Sequence, residues 1–209
     1  QAETDAVGDQ TRMAMSLTPT ATLEPTLTPP NYVSSTPTQT PSPTPSPTPL
    51  PEAVRLEGVV HEFQKFNNCG PANLSMALSF WGWEGDQRTT AAWLKPRQED
   101  RNVMPYEMVD YVNLETDFKA ILRYGGDLEM LKRFIAAGFP VIIEKGFEEE
   151  VEQKAWMGHY GVLTAYDEAE QRFLIQDSYV AEDYANSYDK VARHWRSFNY
   201  AYIVVYPPE

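Results

Sequence analysis

The spacing of apolar residues changes period part-way along this chain. Residues 54 to 60, VRLEGVV, alternate well enough to predict a strand. Over 71 to 81, Leu74, Ala77, Leu78 and Trp81 recur at helical spacing. Pro71 suits a first turn, where no backbone donor is missed, and Gly82 suits a C-terminal stop. Shorter helices are predicted over 87–95, ending at Pro96, and from Pro105 through YEMVDYV. FKAILRY (118–124) reads as a strand, and DLEMLKRFIAAG (127–138) as a helix with Asp127 as N-cap and Gly138 as its left-handed stop. Three strand-like runs follow: PVIIEK (140–145), HYGVLTAYD (159–167) and RFLIQD (172–177). A short helix over 187–198 and a last strand, YAYIVVY (200–206), complete the pattern. Helices crowd the first half and strands the second, which predicts an α+β fold with an antiparallel sheet rather than alternating βαβ units.

Ahead of this region the pattern vanishes. Eleven of the 17 prolines lie between Thr18 and Pro51, interleaved with Thr and Ser. Such a segment has little to bury and cannot offset its ordering entropy. Its composition favours extended polyproline II and permits O-glycosylation. Residues 1–51 are therefore expected to be a disordered stalk or linker, and 52–209 a single folded domain. A stalk of this kind is most useful outside the cell, so an extracytoplasmic protein is expected.

Charge narrows the function. The chain carries a formal −13, and the region 52–209 holds 26 acidic against 16 basic side chains. That balance argues against nucleic acid, whose phosphates need Lys and Arg, and against an anionic membrane surface. No run of apolar residues is long enough to span a bilayer, and no secretory signal pattern is present. No Cys/His pair has metal-ligand spacing and no calcium loop occurs, so neither metal nor cofactor is expected. The oligomeric state is left open.

The one cysteine, Cys69, stands in FNNCGPANLSMALSFWG, at the start of a predicted helix. Unpaired N–H groups and the helix dipole favour an anion there, which would lower the thiol pKa and make a usable nucleophile. A bland reading, a small buried hydrophobe, competes with this. A thiolate needs a base, and three histidines are available. His194 lies among Ala, Arg and Trp in the late helix, and His61 near a strand end. His159 opens a strand between Gly158 and Gly161, where close approach is possible. Asp177 ends the next strand. If 159–167 and 172–177 form a hairpin through EAEQ, His159 and Asp177 become neighbours, and the carboxylate can orient the imidazole. Gln64, five residues before Cys69, could donate with the Cys69 N–H to a developing oxyanion.

In that order, Gln64, NNCGPANLSMAL, GHYGVLTAYD and QDSY resemble the papain-like cysteine peptidases, in particular free-standing relatives of the bacteriocin-processing, double-glycine-leader peptidases. The resemblance covers residues 58 to 206. It implies Cys69 as nucleophile, His159 as base, Asp177 as orienting group and Gln64 as oxyanion donor, with a helical lobe carrying the cysteine and an antiparallel sheet carrying the histidine. The implied reaction is hydrolysis of a peptide bond through an acyl-enzyme, from a resting thiolate–imidazolium pair, on a peptide or protein substrate. Two further points bear on it: Gln64 can serve only if the loop KFNN bends suitably, and no transporter domain is attached. Cell-wall amidase activity and a catalytically silent binding or sensor module on the cell surface are the alternatives. FEEEVEQ (147–153) reads as a solvated acidic loop that could wall the cleft and favour basic peptides, and Trp156 as a packing residue that could cover the His159–Asp177 contact.

Overall fold

The computed structural model describes residues 49–97, 99–147 and 157–208. Nearly all of the expected stalk, Trp156 and most of FEEEVEQ lie outside the described residues. Within Pro47–Glu209 the elements run β1 (Ala53–Arg55), α1 (Cys69–Ser79), α2 (Gln87–Leu94), α3 (Pro105–Glu115), β2 (Lys119–Arg123), α4 (Leu128–Ala136), β3 (Val141–Phe147), β4 (Met157–Asp167), β5 (Arg172–Asp177), β6 (Ala181–Ser187), α5 (Tyr188–Arg196) and β7 (Tyr202–Tyr206).

The strands form one antiparallel sheet in the order β2-β7-β3-β4-β5-β6. Along one edge, β4 pairs with β3 over its first part and with β1 over its last, through Ala53↔Asp167 to Arg55↔Ala165. The near-continuous apolar runs in β3, β4 and β7 arise because both sheet faces are covered. Ile142, Tyr160, Val162, Ile203 and Val205 pack against α1 to α3 with Leu74, Leu78 and Met108. The alternate residues Val141, Ile143, Leu163, Ile175 and Val204 pack with Leu131, Ile135 and Trp195 of α4 and α5. The α+β expectation holds, with helices on both faces.

Two elements differ from the sequence reading. The first strand stops at Arg55, and Gly58 follows with φ 101°, a conformation that leaves the extended path. The strand β6, AEDYANS, has no apolar alternation because it is the edge strand, largely in contact with solvent. Elsewhere the local signals act as their chemistry requires. Asp127 Oδ1 accepts from Met130 N–H at 2.7 Å, capping α4, and Gly138 follows that helix at φ 90°.

Candidate active site

Cys69 is the first residue of α1, with Asn68 at the N-cap. The Asn68 carboxamide does not cap the helix: its oxygen accepts from Lys95 Nζ at 3.1 Å. Pro71, two residues on, has no N–H, so the amides of Cys69 and Gly70 are the donors left at this helix start. Gly70 is required by packing, because a Cβ there would come within 2.9 Å of Val103 Cβ. The first turn is thereby pressed against the segment leading into α3.

The backbone N–H groups of Gly70 and of Tyr160, the residue after His159, lie near the Cys69 sulfur. Burial pushes the thiol pKa up. Those two N–H groups and the charge of Lys95 pull it down, Glu144 pushes it up again, and the net direction is up. The lowered thiol pKa expected from helix position alone is not what the packed site produces, because desolvation outweighs the amide donors.

On β4, His159 Nε2 lies 2.9 Å from Asp177 Oδ1 at the end of β5. The β4–β5 hairpin, closing at Asp167↔Arg172, brings the two together. The same Oδ1 accepts the N–H groups of Tyr179 at 3.0 Å and Val180 at 3.1 Å. Lys145 Nζ stands 3.0 Å from Oδ2, an ion pair whose angle falls short of a hydrogen bond. Asp177 is fully buried. Burial pushes its carboxyl pKa up, but the hydrogen bond and charge of His159, the charge of Lys145 and the Tyr179 N–H outweigh that and hold it well below the usual carboxylate range. An ionised Asp177 can only accept, so Nε2 carries the hydrogen and Nδ1 is left as the basic nitrogen.

The segment KFNN between Gln64 and Cys69 makes a turn. Asn68 N–H closes a turn on Lys65 O at 3.0 Å, with Asn67 at φ 53°. Lys95 Nζ donates to Asn67 O at 2.9 Å and fastens the loop to the end of α2. Glu62 and Gln87 brace its start: Gln87 Nε2 donates to Glu62 Oε2 at 3.1 Å and to Phe63 O at 2.8 Å, while Gln87 Oε1 accepts from Lys65 N–H at 2.6 Å. Ser75 Oγ donates a very short bond to Glu62 Oε1.

A hydrogen-bond relay then fixes which end of Gln64 faces the site. The Cys69 carbonyl can only accept, so the Asn73 amide turns Nδ2 to it, at 2.8 Å. The same Nδ2 donates to Ser178 Oγ at 2.9 Å, which directs the Ser178 hydroxyl hydrogen to Gln64 Oε1 at 2.9 Å. Gln64 N–H donates to Ser178 O at 2.8 Å. With Oε1 engaged, Nε2 is the end of the Gln64 amide that can donate. Sequence reasoning missed Asn73, Ser178, Lys145 and Lys95. Asn73 lies four residues after Cys69, one helical turn on, and that spacing was the available signal.

The other histidines are placed apart from these roles. His61 Nε2 sits 3.2 Å from the backbone oxygen of Asp177, with its ring edge-on to Phe63. His194 is buried on α5. Among the described residues no group of His, Cys, Asp and Glu could hold a metal ion.

The profile of the Peptidase_C39 like family matches residues 56–203. The chain belongs to that family. Its membership makes the chain a cysteine peptidase. Solved structures agree in fold. A C39-like peptidase from Bacillus anthracis superposes with TM-score 0.60 at 18% identity, covering 76% of this chain and 100% of that one. A double-glycine-motif protease from an AMS/PCAT transporter, solved with its leader peptide, gives 0.56 at 16% identity, covering 74% and 95%. Xylellain, a cysteine protease from Xylella fastidiosa, gives 0.57 at 14% identity, covering 77% and 88%. No curated protein matches the chain. The resemblance to papain-like peptidases in NNCGPANLSMAL and GHYGVLTAYD is therefore one of family and of fold.

Proposed function

We propose that this C39-family peptidase hydrolyses peptide bonds with Cys69 as nucleophile, His159 as general base, Asp177 as its orienting carboxylate and Gln64 as oxyanion donor. The observation that carries this reading is the Asn73 amide, whose Nδ2 donates both to the Cys69 carbonyl and to Ser178 Oγ, next in sequence to the buried Asp177 that binds His159. With Nε2–H engaged by Asp177, Nδ1 takes the thiol proton as sulfur attacks the scissile carbonyl. Burial raises the thiol pKa, and the positive charge that His159 takes up with the proton offsets that cost as the thiolate forms. The tetrahedral oxygen accepts from the Cys69 N–H and from Gln64 Nε2. Collapse breaks the C–N bond, and the imidazolium gives its proton to the departing amine. Water then attacks the thioester, with His159 taking its proton and the acid product leaving as the thiol is restored.

The substrate is a peptide or protein, and the fold shared with a protease solved with its leader peptide supports a peptide segment as the bound form. Cleavage of a mixed peptide library by wild-type protein, Cys69→Ala and His159→Ala tests the assignment. Wild type cleaves, Cys69→Ala does not, and His159→Ala loses most of the rate. Wild-type turnover by Cys69→Ala would refute the mechanism. The Pro/Thr/Ser-rich segment through residue 51 is proposed as a spacer that presents the enzyme outside the cytoplasm. Fractionation of producing cells tests that, and recovery of all activity from the cytosol would contradict it.

A further inference from the structure

Asp177 carries two cations, and the mechanism above uses one. Lys145 on β3 lies directly opposite His159 on β4, so both side chains leave the same face of the sheet. Two residues along β4, Gly161 has no side chain, and the Lys145 stem passes beside that gap. A Cβ at Gly161 would lie 3.4 Å from Lys145 Cε and 2.7 Å from Ile175 Cγ2. The ammonium ends 3.0 Å from Asp177 Oδ2, with the Lys145 side chain 7% and the Asp177 side chain 0% exposed. Burying a lysine costs hydration and rotamer freedom, and a surface position at this strand end would avoid both costs. Asp177 Oδ1 already accepts from His159, Tyr179 and Val180, so the carboxylate has partners without the lysine.

We propose that Lys145 is a positioning residue of the active site: it shares Asp177 with His159, keeps that carboxylate ionised, and opposes by repulsion the positive charge that His159 takes up in each cycle. The proposal rests on His159 as the base. A carboxylate facing His159 alone would stabilise the imidazolium with a full negative charge. Paired with Lys145, it presents something nearer a dipole, whose field falls off faster. His159 then keeps its orienting hydrogen bond while being held less tightly in the protonated form, which eases proton return to the leaving amine. Among the described residues, the titratable groups that face the ring are Asp177 from β5, Tyr179 just after it, with its ring centroid 6.4 Å away, and Lys145 from β3, with Cys69 from α1 added by the reading of the site above.

The test is the pH dependence of kcat/KM for the full chain as wild type, K145M, K145Q and K145R, on a peptide taken from the library. The acid limb reports the protonation state in which His159 accepts the thiol proton. Removing the ammonium in K145M and K145Q moves that limb to higher pH by about one unit. K145R, which keeps the charge, leaves the limb in place whatever its rate. An unmoved or lowered limb in an active neutral variant overturns the proposal. So does failure of both neutral variants to fold while K145R folds, which would assign Lys145 to the architecture. Cleavage at the wild-type rate by His159→Ala would instead overturn the reading of the site itself, and the proposal with it.

Discussion

The backbone N–H of Tyr160 lies close enough to the sulfur of Cys69 to favour its thiolate, which sets the first turn of α1 beside the strand that carries His159. Tyr160 holds the junction from its other end too, since its hydroxyl donates to Val103 O at 2.8 Å and Val103 packs on Gly70.

The protonation of that sulfur is set against charge by a neighbour. Glu144 pairs with Tyr160 across β3 and β4, and burial lifts its pKa to about 7. As pH rises through that value, Glu144 charges and makes the thiolate less favourable. Glu144→Gln should speed iodoacetamide alkylation of Cys69 at about pH 7.5 several-fold and bring its pH midpoint down. Alkylation no faster than in the wild type would show that the charge of Glu144 does not reach the sulfur.

Gln64 and Ser178 should separate acyl transfer from plain thiol reactivity. Gln64→Ala is predicted to lower kcat by about 10²-fold, as for loss of one oxyanion donor, with little change in alkylation, which forms no oxyanion. Ser178→Ala removes the hydroxyl that fixes the Gln64 amide and should lose part of that factor, while Ser178→Thr retains most of it. Equal losses in hydrolysis and alkylation would point to a general disturbance of the loop.

Asp177 links the site to stability. Its folded pKa is depressed, so the native state binds fewer protons than the unfolded chain as the group titrates. The stabilisation is full above the unfolded value of about 3.9 and fades as pH falls toward the folded value. Urea midpoints at about pH 5.5 and about pH 2.5 should fall more steeply for the wild type than for Asp177→Asn. At neutral pH, Asp177→Ala leaves a buried ammonium without its carboxylate and should cost roughly 3–5 kcal/mol. A neutral-pH loss under about 1 kcal/mol would mean that Lys145 finds water or another anion.

How much of this was legible follows from where the physics is local. The Asp127 cap, the β4–β5 hairpin and the Cys-Gly-Pro start are short-range features, and the sequence reading located them. The edge strand β6 was not legible because it has no covered face to impose alternation. Lys145 ends the predicted strand PVIIEK without a local signal, since its burial depends on Gly161 of a different strand and on Asp177 of a third. Ser178 read as a residue after a strand, and its role needs Gln64 and Asn73, both far away in sequence. Gly161 was read as an opening for a partner, whereas it accommodates the protein's own Ile175 and Lys145.

That last point is testable by itself. Gly161→Ala places a methyl 2.7 Å from the Cγ2 of fully buried Ile175 and tight against the Lys145 stem. The overpacking should cost about 1–3 kcal/mol, read as a lowered Tm. An unchanged Tm would show that β5 yields more easily than its packing indicates.

The most direct measurement is mass spectrometry of the enzyme quenched in acid during turnover of a cleavable peptide. The mechanism predicts a mass increase equal to the acyl half of the substrate, mapped by digestion to the segment containing Cys69 and absent from Cys69→Ala. Turnover continuing in Cys69→Ala, or an adduct mapped to another residue, would contradict it.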